Sequence, residues 1–418
     1  MQPTPERFAT AAFSVAVVLG TTACNDGSVG FRGGQTTAEA VSSTFRRDSS
    51  AALPDVETRA CHDPSAEDKA IVDELLAHPL PAYKKVEKES PEDSLWRLRK
   101  ETAAKYDLTI FDPRAILEPY TQDLSNSYAG EIPIAEYQTM ARNFLARYGV
   151  RLIQPTDTTP YGTSIIAPFS PDLIRHREDE YAAKKAYLQL INNIAPLPLE
   201  FVQQVGLSEV VVVQINLDQT GGLAEMGTKS KGYGRFYIDP IQAASSGRTS
   251  NHELSHLWDA NRCSGVHDTN LDPAFVALNP NGAKTYVGRE RSRQAAERNP
   301  SLSVENIVFS QPAKDVMNEW EVAKATVGYD EAKDQYFAAK FKALFANAVV
   351  TNWCGLATAS EDKAIIGENI LSLQGYSRML SPDTPIVSQK TRLLLARLYH
   401  DNWRVMRYFY EAGYRRIS

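Results

Sequence analysis

The chain has 418 residues, and 45 basic against 51 acidic residues leave a net charge of −6. That balance gives no electrostatic case for nucleic-acid binding. The length allows one large domain or two to three modest ones with a sizeable core, and 43% hydrophobic residues make the composition globular.

The N-terminus reads as an export signal, residues 1–23. Arg7 precedes an apolar run from Phe8 to Gly20, too short to span a bilayer but suited to a signal-peptide core. Thr21-Thr22-Ala23-Cys24 follows, and a cysteine after small residues resembles a bacterial lipoprotein box, with Cys24 as the lipidated residue. The expectation is an exported protein, a cell-envelope lipoprotein or otherwise secreted, that touches membrane only through this anchor. Residues 24–60 are rich in Gly, Ser, Thr and Ala and read as a flexible tether.

Residues 61–170 carry a helical pattern, with candidate helices Ala66–Ala77, Pro91–Tyr106 and Ile134–Tyr148. Pro79, Pro81, Pro113 and Pro119 punctuate it. No chemistry is evident there, and His62 and His78 read as isolated surface or core residues.

Residues 171–418 read as the main domain. A helical stretch over 170–203 breaks near Ala195-Pro196-Leu197-Pro198. Glu209–Ile215 is a β-branched strand. A glycine-rich connection through Gly221-Gly222 and Gly232-Tyr233-Gly234 leads to a second strand, Arg235–Ile238, and then to a helix opened by Thr249-Ser250-Asn251. Residues 264–312 read as loop. Helices are predicted at Ala313–Val327, Glu331–Ala348, Ser360–Ser372 and Gln389–Ala412, and the aromatic cluster Tyr399–Tyr414 reads as C-terminal packing. The fold class is α+β: mainly helical, with a small sheet beside the helix that follows the second strand.

That helix holds His252-Glu253-Leu254-Ser255-His256, an H-E-x-x-H motif. Positions i and i+4 share a helix face, so two imidazoles at this spacing can grip one Zn2+, and Glu253 can act as general base. Ser250 and Glu253 also have capping-box spacing, a competing structural explanation for the glutamate alone. Asp259, one turn past His256, could hydrogen-bond an imidazole N–H.

A catalytic zinc needs a third protein ligand. The positions that would continue a metzincin motif hold Asp259 and Arg262, which rejects that class. The remaining candidates are Glu361, Glu319, Glu321 and His267. Glu361 shares a largely apolar helix face with Ala364, Ile365, Glu368 and Leu371, so it is not an ordinary solvated charge. Four cysteines are present. Cys263, at the end of the motif helix, and Cys354, just before the Glu361 segment, are expected to form a disulfide, which would bring Glu361 toward the motif; Cys61 stays unassigned.

His252-Glu253-Leu254-Ser255-His256-Leu257-Trp258-Asp259 resembles the H-E-x-x-H-x-x-D helix of anthrax-lethal-factor-like zinc peptidases, and Ser360-Glu361-Asp362-Lys363-Ala364 resembles the start of that family's third-ligand segment. The resemblance covers roughly residues 180–375. It implies a zincin-like domain of gluzincin type, with Zn2+ on His252, His256 and Glu361, Glu253 as general base, and a peptide or protein as substrate. Two departures stand out. Ile365 replaces the family's second glutamate. No tyrosine lies in Cys354-Gly355-Leu356-Ala357, where the family often places one for the oxyanion; Tyr286 or Tyr376 would have to substitute. A non-catalytic zinc-containing binding protein or adhesin on the same scaffold is the alternative reading.

Overall fold

The computed structural model describes residues 63–414, apart from 79, 85, 87, 127, 162–164, 218–219, 227–233, 245–246, 263–271, 328–338, 341 and 374–378. The expected signal peptide, tether, Cys24 and Cys61 lie outside the described residues. The chain is mostly helical with a small mixed sheet, an α+β architecture.

The elements, in chain order, are α1 (Ala66–Ala77), α2 (Pro91–Lys105), α3 (Arg114–Asn126), α4 (Ile134–Ala146), β1 (Arg151–Ile153), β2 (Ile166–Pro168), α5 (Arg177–Ile194), α6 (Leu199–Gln204), β3 (Leu207–Ile215), β4 (Gly222–Met226), β5 (Gly234–Ile238), α7 (Pro240–Ala243), α8 (Thr249–Arg262), α9 (Arg289–Arg298), α10 (Gln311–Val327), α11 (Ala359–Leu371), α12 (Pro385–Asp401) and α13 (Trp403–Tyr414), with shorter turns between them. They fall into two compact units. One contains Pro81–His267 and Trp403–Ser418; the other contains Asp63–Leu80 and Asp268–Asn402. The boundary expected near residue 170 does not divide these units. β1 pairs in parallel with β3 through Arg151–Glu209, Leu152–Val210 and Ile153–Val211, and joins the two sides of that point in one sheet.

In the first unit the strand order is β1-β3-β5-β4, with β2 antiparallel to the end of β3. β3 is the central strand. Its run Val210-Val211-Val212-Val213 is buried on both faces, which is why it reads as a continuous apolar stretch rather than an alternation. β5 lies parallel to it with Val211 opposite Tyr237. β4 is antiparallel to β5, with Gly222 opposite Ile238, and ends the sheet. The sequence pattern predicts a connection over residues 221–234. Two adjacent glycines look like a turn, whereas here they permit close packing. A Cβ on Gly221 would stand 2.8 Å from the Ala243 backbone. Asp239 ties β3 to α7: its Oδ2 accepts from the Ile215 N–H at 3.0 Å and its Oδ1 from the Ile241 N–H at 3.1 Å.

α3 crosses Pro119, although proline is expected to punctuate a helix. The helix tolerates the lost hydrogen bond because Leu117 is buried and the ring of Tyr120 packs edge-on against Tyr137 at 4.8 Å.

In the second unit, α1 packs on α12, and α9 packs on the turn Trp353–Leu356. Residues 289–298 fall within the loop expected over 264–312. α9 is a helix with six charged residues and only Ser292 and Ala296 buried, so it carries almost no hydrophobic periodicity to detect. The single helix expected over Gln389–Ala412 is two, because Asn402 is extended (φ −160°, ψ 96°) between α12 and α13. Half of the helix expected over Glu331–Ala348 lies outside the described residues.

Candidate metal centre

α8 is positioned by its apolar face. Leu254, Leu257 and Trp258 are buried, and the helix packs on β4 and β5. The Asn251 and His252 N–H groups both donate to the Arg248 carbonyl, at 3.0 and 3.1 Å. The residue whose carbonyl takes the first helical bond is the N-cap, so the cap is Arg248 and Ser250 lies inside the first turn. Ser250 and Glu253 therefore do not form a capping box.

Helical spacing puts His252 and His256 on one face. Their rings stand 4.8 Å apart at 81°, and the two Nε2 atoms are 3.2 Å from one another. Two ligands at about 2.0–2.1 Å from a tetrahedral ion lie about 3.3 Å apart, so this separation suits a shared Zn2+. His252 and Glu253 are buried, and His256 and Asp259 are half-buried. β4 runs directly against Glu253. A Cβ on Gly222 would lie 2.7 Å from Glu253 Oε1, 2.8 Å from its Cγ and 2.6 Å from Thr249 Cγ2. Gly222 therefore leaves the space that the Glu253 carboxyl occupies.

Glu361 sits in the first turn of α11. Thr358 caps that helix, its Oγ1 accepting from the Glu361 N–H at 3.1 Å. Among the described residues, His252, His256 and Glu361 form a group able to hold a metal ion: one ligand atom from each lies within 4.8 Å of the others. Two imidazole nitrogens and one carboxylate oxygen are a donor set used by catalytic zinc. The other candidates for the third ligand are placed differently. Glu319 is half-exposed and ion-paired to Lys340 at 2.5 Å. His267 and the Glu321 side chain lie outside what is described.

The residue after Glu361 anchors α11. Asp362 is fully buried, with its Oδ2 2.5 Å from Lys390 Nζ on α12, and Lys390 is buried as well. The same Nζ donates to the Val349 carbonyl at 2.6 Å, and Tyr286 donates to Asp362 Oδ2 at 3.1 Å. Burial pushes the Asp362 carboxyl up and the Lys390 ammonium down, and their mutual attraction opposes both shifts. Tyr286, one of the two tyrosines considered for oxyanion stabilisation, thus spends its hydroxyl proton on Asp362 and accepts from Asn279 Nδ2 at 2.9 Å. Tyr376 lies outside the described residues.

Sequence reasoning missed this network and the role of Gly222. The available signal for the network was Lys390 among Val387, Leu394 and Leu398, on a helix stripe that carries a second buried cation, Arg397, two turns on. Cys354 is buried and is not a free thiol. Cys263 lies outside the described residues, so the proposed pairing does too.

Family models, curated proteins and solved structures were all compared with the chain, and none matches.

Proposed function

We propose that the chain is a zinc-dependent peptide hydrolase of gluzincin type on a zincin-like domain. The observation that carries this reading is the approach of His252, His256 and Glu361 to within 4.8 Å. The 3.2 Å imidazole pair adds to it, as does a buried glutamate beside the first histidine. Zn2+ bound there supplies Lewis acidity toward a carbonyl oxygen and toward water. His252, His256 and Glu361 hold the ion. Glu253 takes a proton from the attacking water and passes it to the departing amine, a role worth roughly 10²–10⁴ in rate. Asp259, one turn beyond His256, orients an imidazole. β4 ends the sheet beside α8, and its outer edge offers main-chain groups to an extended peptide. Export, lipidation at Cys24 and a Cys263–Cys354 disulfide belong to the same reading. No described helix is long and apolar enough to cross a membrane.

One observation favours the non-catalytic alternative: the Tyr286 hydroxyl is committed to Asp362. The two readings separate by metal analysis combined with chelator-sensitive cleavage of a broad peptide library. The expected outcome is about one zinc per chain, lost in His256→Ala, with cleavage abolished and zinc retained in Glu253→Gln. Zinc without cleavage in the wild type selects the binding protein, and equal metal in wild type and His256→Ala rejects both. Glu361→Ala is expected to weaken zinc binding severely, while Glu319→Ala leaves it within about twofold. The reverse order would move the third ligand to α10.

A further inference from the structure

The second unit contains a cavity of about 710 Å³ walled by the turn before α9 and by α9 itself. Lys284, Arg291 and Arg298 line it, together with Tyr286, Val287, Gln294 and Ala295. All three cations are exposed, and no ion pair joins them to a described carboxylate. That is unusual for their own helix, where Arg293 pairs with Glu297 at 3.1 Å, and for a chain of net charge −6. None of these residues belongs to the metal-binding group.

The spacing on α9 specifies the ligand further. Arg291, Gln294, Ala295 and Arg298 stand at i, i+3, i+4 and i+7, so they share one helix face. The two arginines are separated by about 10.5 Å along the axis. Between them the lining is apolar or neutral. A peptide in the polyproline II conformation has three residues per turn and rises about 3.1 Å per residue, so two carboxylates three residues apart share one face and span about 9 Å. Guanidinium groups take carboxylates in bidentate fashion, and Val287 and Ala295 suit an apolar side chain between the two acids.

We propose that this cavity docks an acidic peptide segment, with one carboxylate on Arg291, a second on Arg298 and an apolar residue between them. Lys284 adds positive charge at the rim. The ligand class follows from the cation spacing and the apolar middle. A compact polyphosphate would place its charges closer together and would leave that middle unused.

The test is binding of a fluorescein-labelled Glu-Leu-Ala-Glu peptide to the full chain by anisotropy. The Glu253→Gln variant with chelator serves as a parallel sample, so that loss of hydrolysis cannot be mistaken for loss of docking. Saturable binding is expected in both samples, weakening as salt is raised. Arg291→Gln and Arg298→Gln should each weaken it by about tenfold, the scale of one charge-assisted contact. The Gln-Leu-Ala-Gln peptide should bind at least about tenfold more weakly. Both substitutions are at exposed positions, and thermal melts confirm that the variants fold. Should either variant fail to fold, the salt dependence and the neutral peptide decide on the wild type alone. Equal binding of the two peptides, or undiminished binding by both folded variants, overturns the proposal. So does binding of tripolyphosphate without binding of the acidic peptide, which would make the cavity a phosphate site.

Discussion

Gly222 stands against the glutamate expected to move the proton. Its missing Cβ leaves less than 3 Å to Thr249 Cγ2, Glu253 Cγ and Glu253 Oε1. The glutamate tip can swing aside, but Thr249 is β-branched and stiff. An added methyl group therefore displaces the carboxyl rather than the helix start. Gly222→Ala is expected to keep its zinc and lose about 100-fold in kcat, the scale of a misplacement near 1 Å. Zinc titration beside steady-state kinetics checks this. Wild-type kcat in the variant would mean that the carboxyl acts from a seat unaffected by β4.

At the scale of elements, α11 carries Glu361 in its first turn and is held by the very next side chain. Asp362 and Lys390 are both buried; Lys390 also donates to the Val349 carbonyl and Tyr286 donates to Asp362. Removing one partner of such a pair strands the other charge. Lys390→Met is expected to destabilise the protein by about 3–5 kcal/mol. Adding Asp362→Asn removes the stranded charge and should recover most of that loss, since the amide can still accept from Tyr286. Urea denaturation of the two single variants and the double variant measures the coupling. A loss under about 1 kcal/mol in Lys390→Met would show the pair to be dispensable.

Across the molecule, chain segments far apart in sequence meet at single charges. Arg397 on α12 grips Asp272 with two bonds, at 2.6 and 2.7 Å, and reaches Asp63 at 2.9 Å. Lys363 on α11 is 3.2 Å from the same Asp272. Burial raises the Asp272 pKa, but the Arg397 bonds and the Lys363 charge outweigh it and hold the carboxyl at about 2, below its ordinary 3.8. A depressed carboxyl contributes stability that is present above the unfolded pKa and lost as pH falls through the folded one. Here the contribution is about 2 kcal/mol above pH 4, disappearing toward pH 2. Melts of wild type and Asp272→Asn between pH 2 and 6 should therefore converge as pH falls. A gap that stays constant over that range would rule out Asp272 as its source.

The parts of this protein legible in the sequence are those whose cause is local. Helical spacing alone places His252 and His256 on one face, so the 3.2 Å imidazole pair needs nothing beyond α8. The valine run of β3 declares a strand buried on both sides, and the apolar stripe of α11 marks Glu361 as more than a surface charge. Other features depend on what packs against them. β4 looked like a turn because a glycine's role is defined by the atom it approaches, here Glu253 and the Ala243 backbone. α9 reads as a loop because only Ser292 and Ala296 among its own residues are buried, which leaves no apolar periodicity. Arg248 rather than Ser250 caps α8, which only the backbone hydrogen bonds reveal. Tyr286 is a candidate for the oxyanion by sequence, but its hydroxyl donates to Asp362, 76 residues away in sequence. Local spacing determines which residue types can act together on one element. Which distant residues complete or occupy them is decided by burial and non-local pairing, and those have no periodic signature along the chain.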